Sequence, residues 1–377
     1  MKSLFEQFEV IEDPRDIRGK RHKLINILIM TIYGILLKET DFTSIAYFLK
    51  LNEAYFTELL NLEYGTPSHD TLSNVFAVIE PKVFMEIFID WTKQLVKTKT
   101  GQVINIDGKA VKSATDKING GNTPYIVSAF LSDVGLSLGQ VKVDDKSNEI
   151  TAIPELLDLL DIKGATITID AIGTQETIVK KIVKKKGHYV LPVKKNQKEL
   201  RKDIKSYFEE QNNLKGHKEI AFKRTLEKDH GRIEIRDYYL TNNISTIKDK
   251  GKWGTVKAIA YVKVHIIIGD EESIIDKYYI MDQELSVERF AEITRKHWQI
   301  ETSLHWRLDV ILDEDHSRNR VGNSINNLAI IRKIVFNLAR LDTTYGENLP
   351  LKRKLTQYMS NYKNIENLLF NVIPCIY

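Results

Sequence analysis

Apolar residues recur every three to four positions through residues 1–97, then at every second position from Gln102, and this change of period divides the chain. The first stretch predicts helices over Leu24–Leu37, Thr43–Lys50, Glu53–Leu62, Pro67–Phe76 and Pro81–Lys97. Gly65 reads as a stop, Pro67 and Ser68 as a helix start, and Asp70 falls in the first turn, which makes a helix-turn-helix-like pairing with 53–62. Such pairings also occur in helical domains that touch no DNA. QVINIDGKAVK, PYIVSAFLSD and LSLGQVKVDD then predict a three-strand meander. A helix in IPELLDLLDI, with Pro154 in its first turn, a strand in GATITIDAIG, a helix in TQETIVKKIVKKK and a strand in GHYVLPV complete a β-β-β-α-β-α-β order. That order is a mixed sheet with helices packed on it. Residues 207–282 return to strand signals, with Gly251 and Gly254 marking turns, and read as a β-rich insertion. From Ser286 the chain is helical again, and two amphipathic helices, INNLAIIRKIVFNLARL and KLTQYMSNYKNIENLLF, are expected to pack on the sheet layer and the N-terminal helices. The expected units are therefore 1–97, 98–206, 207–282 and 283–377.

One polar residue breaks the apolar stripe of the run from Ser286 to Asp313. Phe290, Ile293, His297, Glu301, Leu304 and Leu308 share a helix face, so Glu301 is expected on the side that packs inward. Burying a carboxylate costs roughly several kcal/mol unless it is paired or metal-bound. Either Glu301 sits at the stripe's edge beside a Lys or Arg, or it has a chemical task. Two upstream acids favour the task. Asp107 ends the strand VINID and is followed by Gly108 and Lys109; Asp170 ends the strand TITID and precedes Ala171 and Gly173. A carboxylate at the carboxyl edge of a sheet stands where open α/β sheets hold ligands, although each aspartate alone could simply cap a turn.

Composition narrows the chemistry. The 377 residues carry one cysteine, Cys375, so no intramolecular disulfide or thiolate metal cage can form, which suits a cytoplasmic protein. Leu24–Leu37 is too short to span a bilayer comfortably and reads as a core helix. Three carboxylates without cysteine favour hard cations, Mg²⁺ or Mn²⁺, and two such ions roughly 3.5–4 Å apart serve in-line phosphoryl displacement. The substrate is then a phosphodiester. Net charge is only +4, but Lys180–Lys205 holds eleven Lys or Arg against two acids, including Lys184, Lys185, Lys186, Lys194 and Lys195. A second tract holds Arg295, Lys296, Arg307, Arg318, Arg320, Arg332 and Lys333. Beside a carboxylate edge, such charge suits a polyanion, although a solvated helix face explains part of it. His297, Glu301 and His305, spaced by four, could instead face a zinc ion, without the HExxH pattern.

INIDGKAVK, TIDAIGTQ, KKNQ, HGRIEIR and HWQIETSLHWRLDVILDEDHSRNR, with PSHDTLSNVF and EDPRDIRGKRH near the N-terminus, resemble the H-repeat-associated group of bacterial insertion-sequence DDE transposases along essentially the whole chain. The resemblance implies an α/β ribonuclease-H-like core with a β-rich insertion behind an all-helical N-terminal domain. It implies metal-dependent cleavage and strand transfer at the element's ends, with double-stranded DNA as partner and a homo-oligomer assembled on it. By that likeness Asp107, Asp170 and Glu301 are the catalytic, metal-holding triad. Lys109, Lys184, Lys185, Lys186, Lys194, Lys195, Arg295, Arg307, Arg318 and Arg320 are the candidate DNA contacts. The Tyr, Arg, Glu, Lys signature of the broader class falls here on Thr294, His297, Glu301 and Leu308, so only the glutamate is kept. The other readings are a catalytically inactive DNA-binding remnant and a nuclease that does not transfer strands.

Overall fold

The computed structural model describes all residues except 1, 17, 19, 113–114, 116–122, 144–147, 212, 230, 348, 374 and 376–377. The end of the third expected strand and part of EDPRDIRGKRH fall outside the described residues.

The N-terminal helices are α1 Leu4–Phe8, α2 Leu24–Leu36, α3 Phe42–Leu51, α4 Glu53–Leu60, α5 His69–Val78 and α6 Pro81–Leu95. Their starts follow local chemistry: the Asp41 carboxylate accepts from the Thr43 and Ser44 amides, the Ser68 hydroxyl accepts from Thr71, and Pro81 opens α6. α2 is buried nearly all round, as a core helix should be. Helix α5, with Leu72, Val75 and Phe76 buried, packs mainly on α3 rather than forming a pair with α4; the Phe42 and Phe76 rings lie 5.4 Å apart.

One sheet of nine strands runs in the order β3-β2-β1-β4-β5-β9-β8-β7-β6. Its first five strands are β1 Val103–Ala110, β2 Tyr125–Leu131, β3 Leu136–Val143, β4 Thr166–Ile169 and β5 His188–Val193. β1, β2 and β3 form an antiparallel meander, whereas β4 and β5 run parallel to β1. Helix α7, Glu149–Leu159, enters β4, and α8, Glu176–Lys184, enters β5. This 3-2-1-4-5 arrangement is the ribonuclease-H-like core. Asn148 rather than Pro154 starts α7, its side chain accepting from the Ile150 amide, so the helix begins earlier than expected and Pro154 lies inside it.

Residues 198–210 form helix α9, Lys198–Glu210, and the expected β-rich block then supplies β6 Ala221–Asp229, β7 Arg232–Thr241, β8 Ala258–Ile268 and β9 Glu271–Met281. These strands do not stand apart from the core: β9 pairs antiparallel with β5, from Val190↔Met281 to Val193↔Tyr278, and prolongs the same sheet. Gly251 lies inside a four-residue helix, α10 Lys250–Trp253, and Gly254 caps it.

Helices α7, α8 and α9 cover one sheet face through Ile153, Leu156, Ile178, Ile182 and Ile204. α11, Val287–His297, covers the other through Phe290 and Ile293. The chain continues through a π turn at Ile300–His305 into α12, Trp306–Val310, and then α13 Ser324–Leu341, α14 Leu351–Ser360 and α15 Ile365–Phe370. The N-terminal helices share a single apolar cluster with Ile300, Leu304, Leu308 and α13–α15, so the two chain ends are held together by common burial. No helix among the described residues is long and apolar enough to cross a membrane.

Candidate active site

Strand register brings the two aspartates together. β1 and β4 pair in parallel from Val103↔Thr166 to Ile106↔Ile169, an offset of 63 residues, and the next step along both strands is Asp107 beside Asp170. Asp107 does not end its strand as the sequence suggested: β1 continues to Ala110 against β2, and only the pairing with β4 stops at Ile106. Asp170 does cap the turn that follows, its Oδ1 accepting from the Ile172 amide at 3.0 Å, and it also lines the cleft.

Alternation along β1 then fixes what lies over the aspartates. Val103 packs with Phe290 and Ile293; the Asn105 amide donates to the Lys296 and His297 carbonyls; Asp107 meets His305, Nδ1 to Oδ2 at 3.4 Å; Lys109 reaches Asp309 on α12. The odd-numbered face of β1 thus tracks the helix carrying Glu301, residue by residue. On β4, the Thr168 hydroxyl lies 3.0 Å from His297 Nδ1.

Glu301 itself is exposed, which corrects the expectation that it lies on the buried stripe. The chain makes a π turn here, in which the Trp306 amide bonds back five residues to the Glu301 carbonyl. Ile300, Leu304 and Leu308, at helical spacing from Ile293, form the buried stripe, and Glu301 flanks it. Among the described residues no ion pair with Glu301 is found, so a Lys or Arg partner is not what holds it there. It lines, with Asp107 and Asp170, a cleft of about 640 Å³.

Charge is concentrated at this place. Burial pushes the Asp107 carboxyl up to about 7, aided by the negative charges of Glu301, Asp170 and Glu149 and opposed by the Gly108 amide. His297 is pushed down to about 4 by burial and by the charges of Lys277 and Lys194. His305 is pushed down to about 3, by burial and then by Lys333 and Lys109. Both imidazoles are neutral at physiological pH, and with Thr168 and Asp107 as separate partners they do not form the zinc face that their spacing allowed. Among the described residues no three His, Cys, Asp or Glu side chains are already gathered around one point that would hold a cation. Unneutralised carboxylates repel one another, so the acids are expected to converge only when a cation draws them in. The donor set at the cleft is carboxylate oxygen without thiolate, which fits a hard divalent ion.

The basic candidates separate into groups. Lys194 and Lys195 follow the carboxyl end of β5 and line the cleft with the acids. Lys184, Lys185 and Lys186 precede β5 and so lie at the opposite edge of the sheet, roughly 20 Å away at about 3.3 Å per strand residue. There the Lys185 ammonium donates to the carbonyls of Leu157, Asp158 and Leu160. Lys109 is half-buried between Asp309 and Glu314, with Asp315 at 4.0 Å, so it faces carboxylates instead of the cleft. Arg295 pairs with Glu227 at 2.6 Å, Arg307 is half-buried on α12, Arg318 lines a separate cleft with His69 and Asp70, and Arg320 is exposed in the loop before α13. Arg332 and Lys333 are buried, with Lys333 donating to Gln140 at 2.5 Å. Thr294 and His297 line the cleft, whereas Leu308 belongs to the core.

Several cleft residues escaped the sequence reading. Lys277 on β9 lies 5.7 Å from the centre of the exposed Trp298 ring, and Arg201 lies 5.3 Å from that of Tyr278; all four line the cleft. Burial lowers the Lys277 ammonium, helped by Arg236, Lys194, Arg295 and Arg232. Outside the cleft lining, Glu149 at the first position of α7 was hidden because the helix was expected to start later; the Asn-Glu pair at 148–149 is the N-cap signal that could have shown it.

Residues 86–338 match the family described as Transposase DDE domain, and residues 5–92 match DDE_Tnp_1-associated. The chain belongs to the DDE-domain transposase family. It is 36% identical over 369 residues to "H repeat-associated putative transposase YhhI" of Escherichia coli (strain K12), covering 96% of this chain and 97% of that one. It is 39% identical over 238 residues to "H repeat-associated putative transposase YbfD" of the same strain, covering 63% of this chain and 92% of that one. Among solved structures, a piggyBac transposase synaptic complex with hairpin DNA is similar at 12% identity and a TM-score of 0.44, over 99% of this chain and 82% of that one.

Proposed function

We propose that this transposase cuts and joins phosphodiester bonds at the ends of an insertion sequence, with Asp107, Asp170 and Glu301 as its catalytic carboxylates. The observation that carries the reading is the register: two aspartates from paired parallel strands stand side by side under the helix that brings Glu301 to the same cleft. Asp107, Asp170 and Glu301 would hold two Mg²⁺ or Mn²⁺ ions, which when bound activate the attacking oxygen and stabilise the leaving one.

The chain's own residues prepare the place. Lys194 and Lys195 set positive charge at the cleft to receive phosphates, and Arg201 and Lys277 extend it along the β5–β9 seam. His305 and Asn105 tie the π turn and the end of α11 to β1, so Glu301 and Asp107 keep a fixed relation. Lys109 acts in the same way through Asp309 and Glu314. We assign DNA contact to Lys194 and Lys195, and no phosphate contact to Lys109 or to Lys184–Lys186. The working division is a helical transposase-associated unit 1–97, a core of 98–206 and 283–377, and an insertion 207–282. The partner is double-stranded DNA, both element ends and target, bound by a homo-oligomer in the cytoplasm.

The test is incubation of the protein with labelled DNA from its own element's ends, a target plasmid, and Mg²⁺ or Mn²⁺. Nicked ends and joined products are expected. Nicks without joining would mean a nuclease, and binding without nicks a remnant.

A further inference from the structure

The opening of α7 brings another carboxylate to the same strand. Gly108 follows Asp107 directly, and a Cβ placed on it would meet the Glu149 carboxylate, its carbon and Oε1 each at 2.9 Å, and also the Tyr125 ring. The absence of a side chain at 108 is what lets the Glu149 carboxylate close on β1 there, from the α7 face of the sheet. The Tyr125 hydroxyl stands between two acceptors, the Gly108 carbonyl at 3.0 Å and the Glu149 carboxylate. Tyr125 belongs to β2 and pairs with Ala110, so the glutamate is held from the neighbouring strand. Among the described residues no Lys or Arg ion pair with Glu149 is found, while the negative charge of Glu149 bears on Asp107 and that of Asp170 on Glu149. Such convergence is unfavourable unless a cation joins it.

We infer that Glu149 is a fourth carboxylate of the site, reaching over Gly108 and steadied by Tyr125, and that it adds an oxygen donor to the divalent cation carried by Asp107 and Asp170. The inference rests on the carboxylate reading given under Proposed function. Hard cations take six or more oxygen ligands, and the two aspartates leave places for a further side chain besides water and phosphate. Tyr125 is a positioning residue: it touches Glu149, not the ion.

The test is Mn²⁺ binding to the full chain without DNA, followed by electron paramagnetic resonance of the free ion, for wild type, Glu149→Gln, Tyr125→Phe and Asp170→Asn. Unfolding in EDTA checks that each variant is folded. Glu149→Gln keeps the shape and removes the charge; it should weaken Mn²⁺ binding roughly tenfold or more, and Tyr125→Phe by a smaller factor, as the loss of a ligand's support does elsewhere. If Asp170→Asn weakens binding while Glu149→Gln binds as the wild type does, Glu149 is not a ligand and this inference fails alone. If none of the three variants changes Mn²⁺ binding, the carboxylate reading of the site fails with it.

Discussion

Replacing Asp107 with Asn should stabilise the metal-free protein, and do so more as pH rises. The side chain is 18% exposed, and burial together with Glu301, Asp170 and Glu149 lifts its carboxyl from 3.8 to about 7. The folded state therefore holds this proton more tightly than the unfolded chain does. The stability it contributes is present in full below about pH 4 and is lost as pH rises through 7, by roughly 4 kcal/mol in all for a three-unit shift. Between pH 5 and pH 8 the loss is about 2.5 kcal/mol on the same arithmetic, and about 1–3 kcal/mol after relaxation around the charge. Asn keeps the shape and cannot ionise, so urea unfolding in EDTA at the two pH values should show the variant gaining on the wild type by that amount. Groups common to both proteins cancel in the difference. A gain that is equal at pH 5 and 8, or a loss that grows with pH, would refute the reasoning that the carboxylates crowd one another. Adding Mn²⁺ at pH 8 should favour the wild type alone, because only it keeps the ligand.

Further outcomes follow from the same packing. Lys109→Met should destabilise the fold by about 3–5 kcal/mol, because Glu314 is left buried without this counter-charge; chemical denaturation reads it, and an effect confined to DNA affinity would contradict the placement. Lys194→Ala with Lys195→Ala should weaken binding to every DNA sequence and lower the salt slope by about two, whereas Lys184→Ala with Lys186→Ala should leave cleft binding near wild type; a salt titration by fluorescence anisotropy separates the pairs. Leu304→Ala should cost about 2–5 kcal/mol, since that side chain is fully buried under the π turn; unfolding at wild-type urea concentration would show that the turn is not packed as described.

How much of this was legible in the sequence differs from residue to residue. VINID and TITID show two apolar strands that meet an acid, and parallel pairing at a constant offset then makes neighbours of residues 63 apart. The succession of strands and helices along the chain needed only the period of apolar positions. The environment of Glu301 was not legible, because Ile300 and Glu301 are chain neighbours that both fall near the stripe at helical spacing; Ile300 packs inward and Glu301 takes the exposed flank. The lysine run was misleading for a topological reason. Lys184–Lys186 and Lys194–Lys195 are close in sequence, yet the six residues of β5 carry the chain from one sheet edge to the other. Counting charge could not show that Lys109 is engaged by carboxylates or that Arg332 and Lys333 are buried, since their partners come from distant segments. Nor could the strand signals of 207–282 show that β9 would find β5 and prolong the sheet, because pairing partners are not written in local propensity.

The most direct measurement compares wild type with Glu301→Gln on labelled element-end DNA in Mn²⁺. The amide keeps the side chain's shape at an exposed position, so folding and metal-free DNA affinity should be retained. The rate of cutting should fall roughly a thousandfold, the equivalent of about 4 kcal/mol of lost barrier lowering. Cutting at the wild-type rate by Glu301→Gln would contradict the account, and would leave Glu301 as no more than the exposed edge of a π turn.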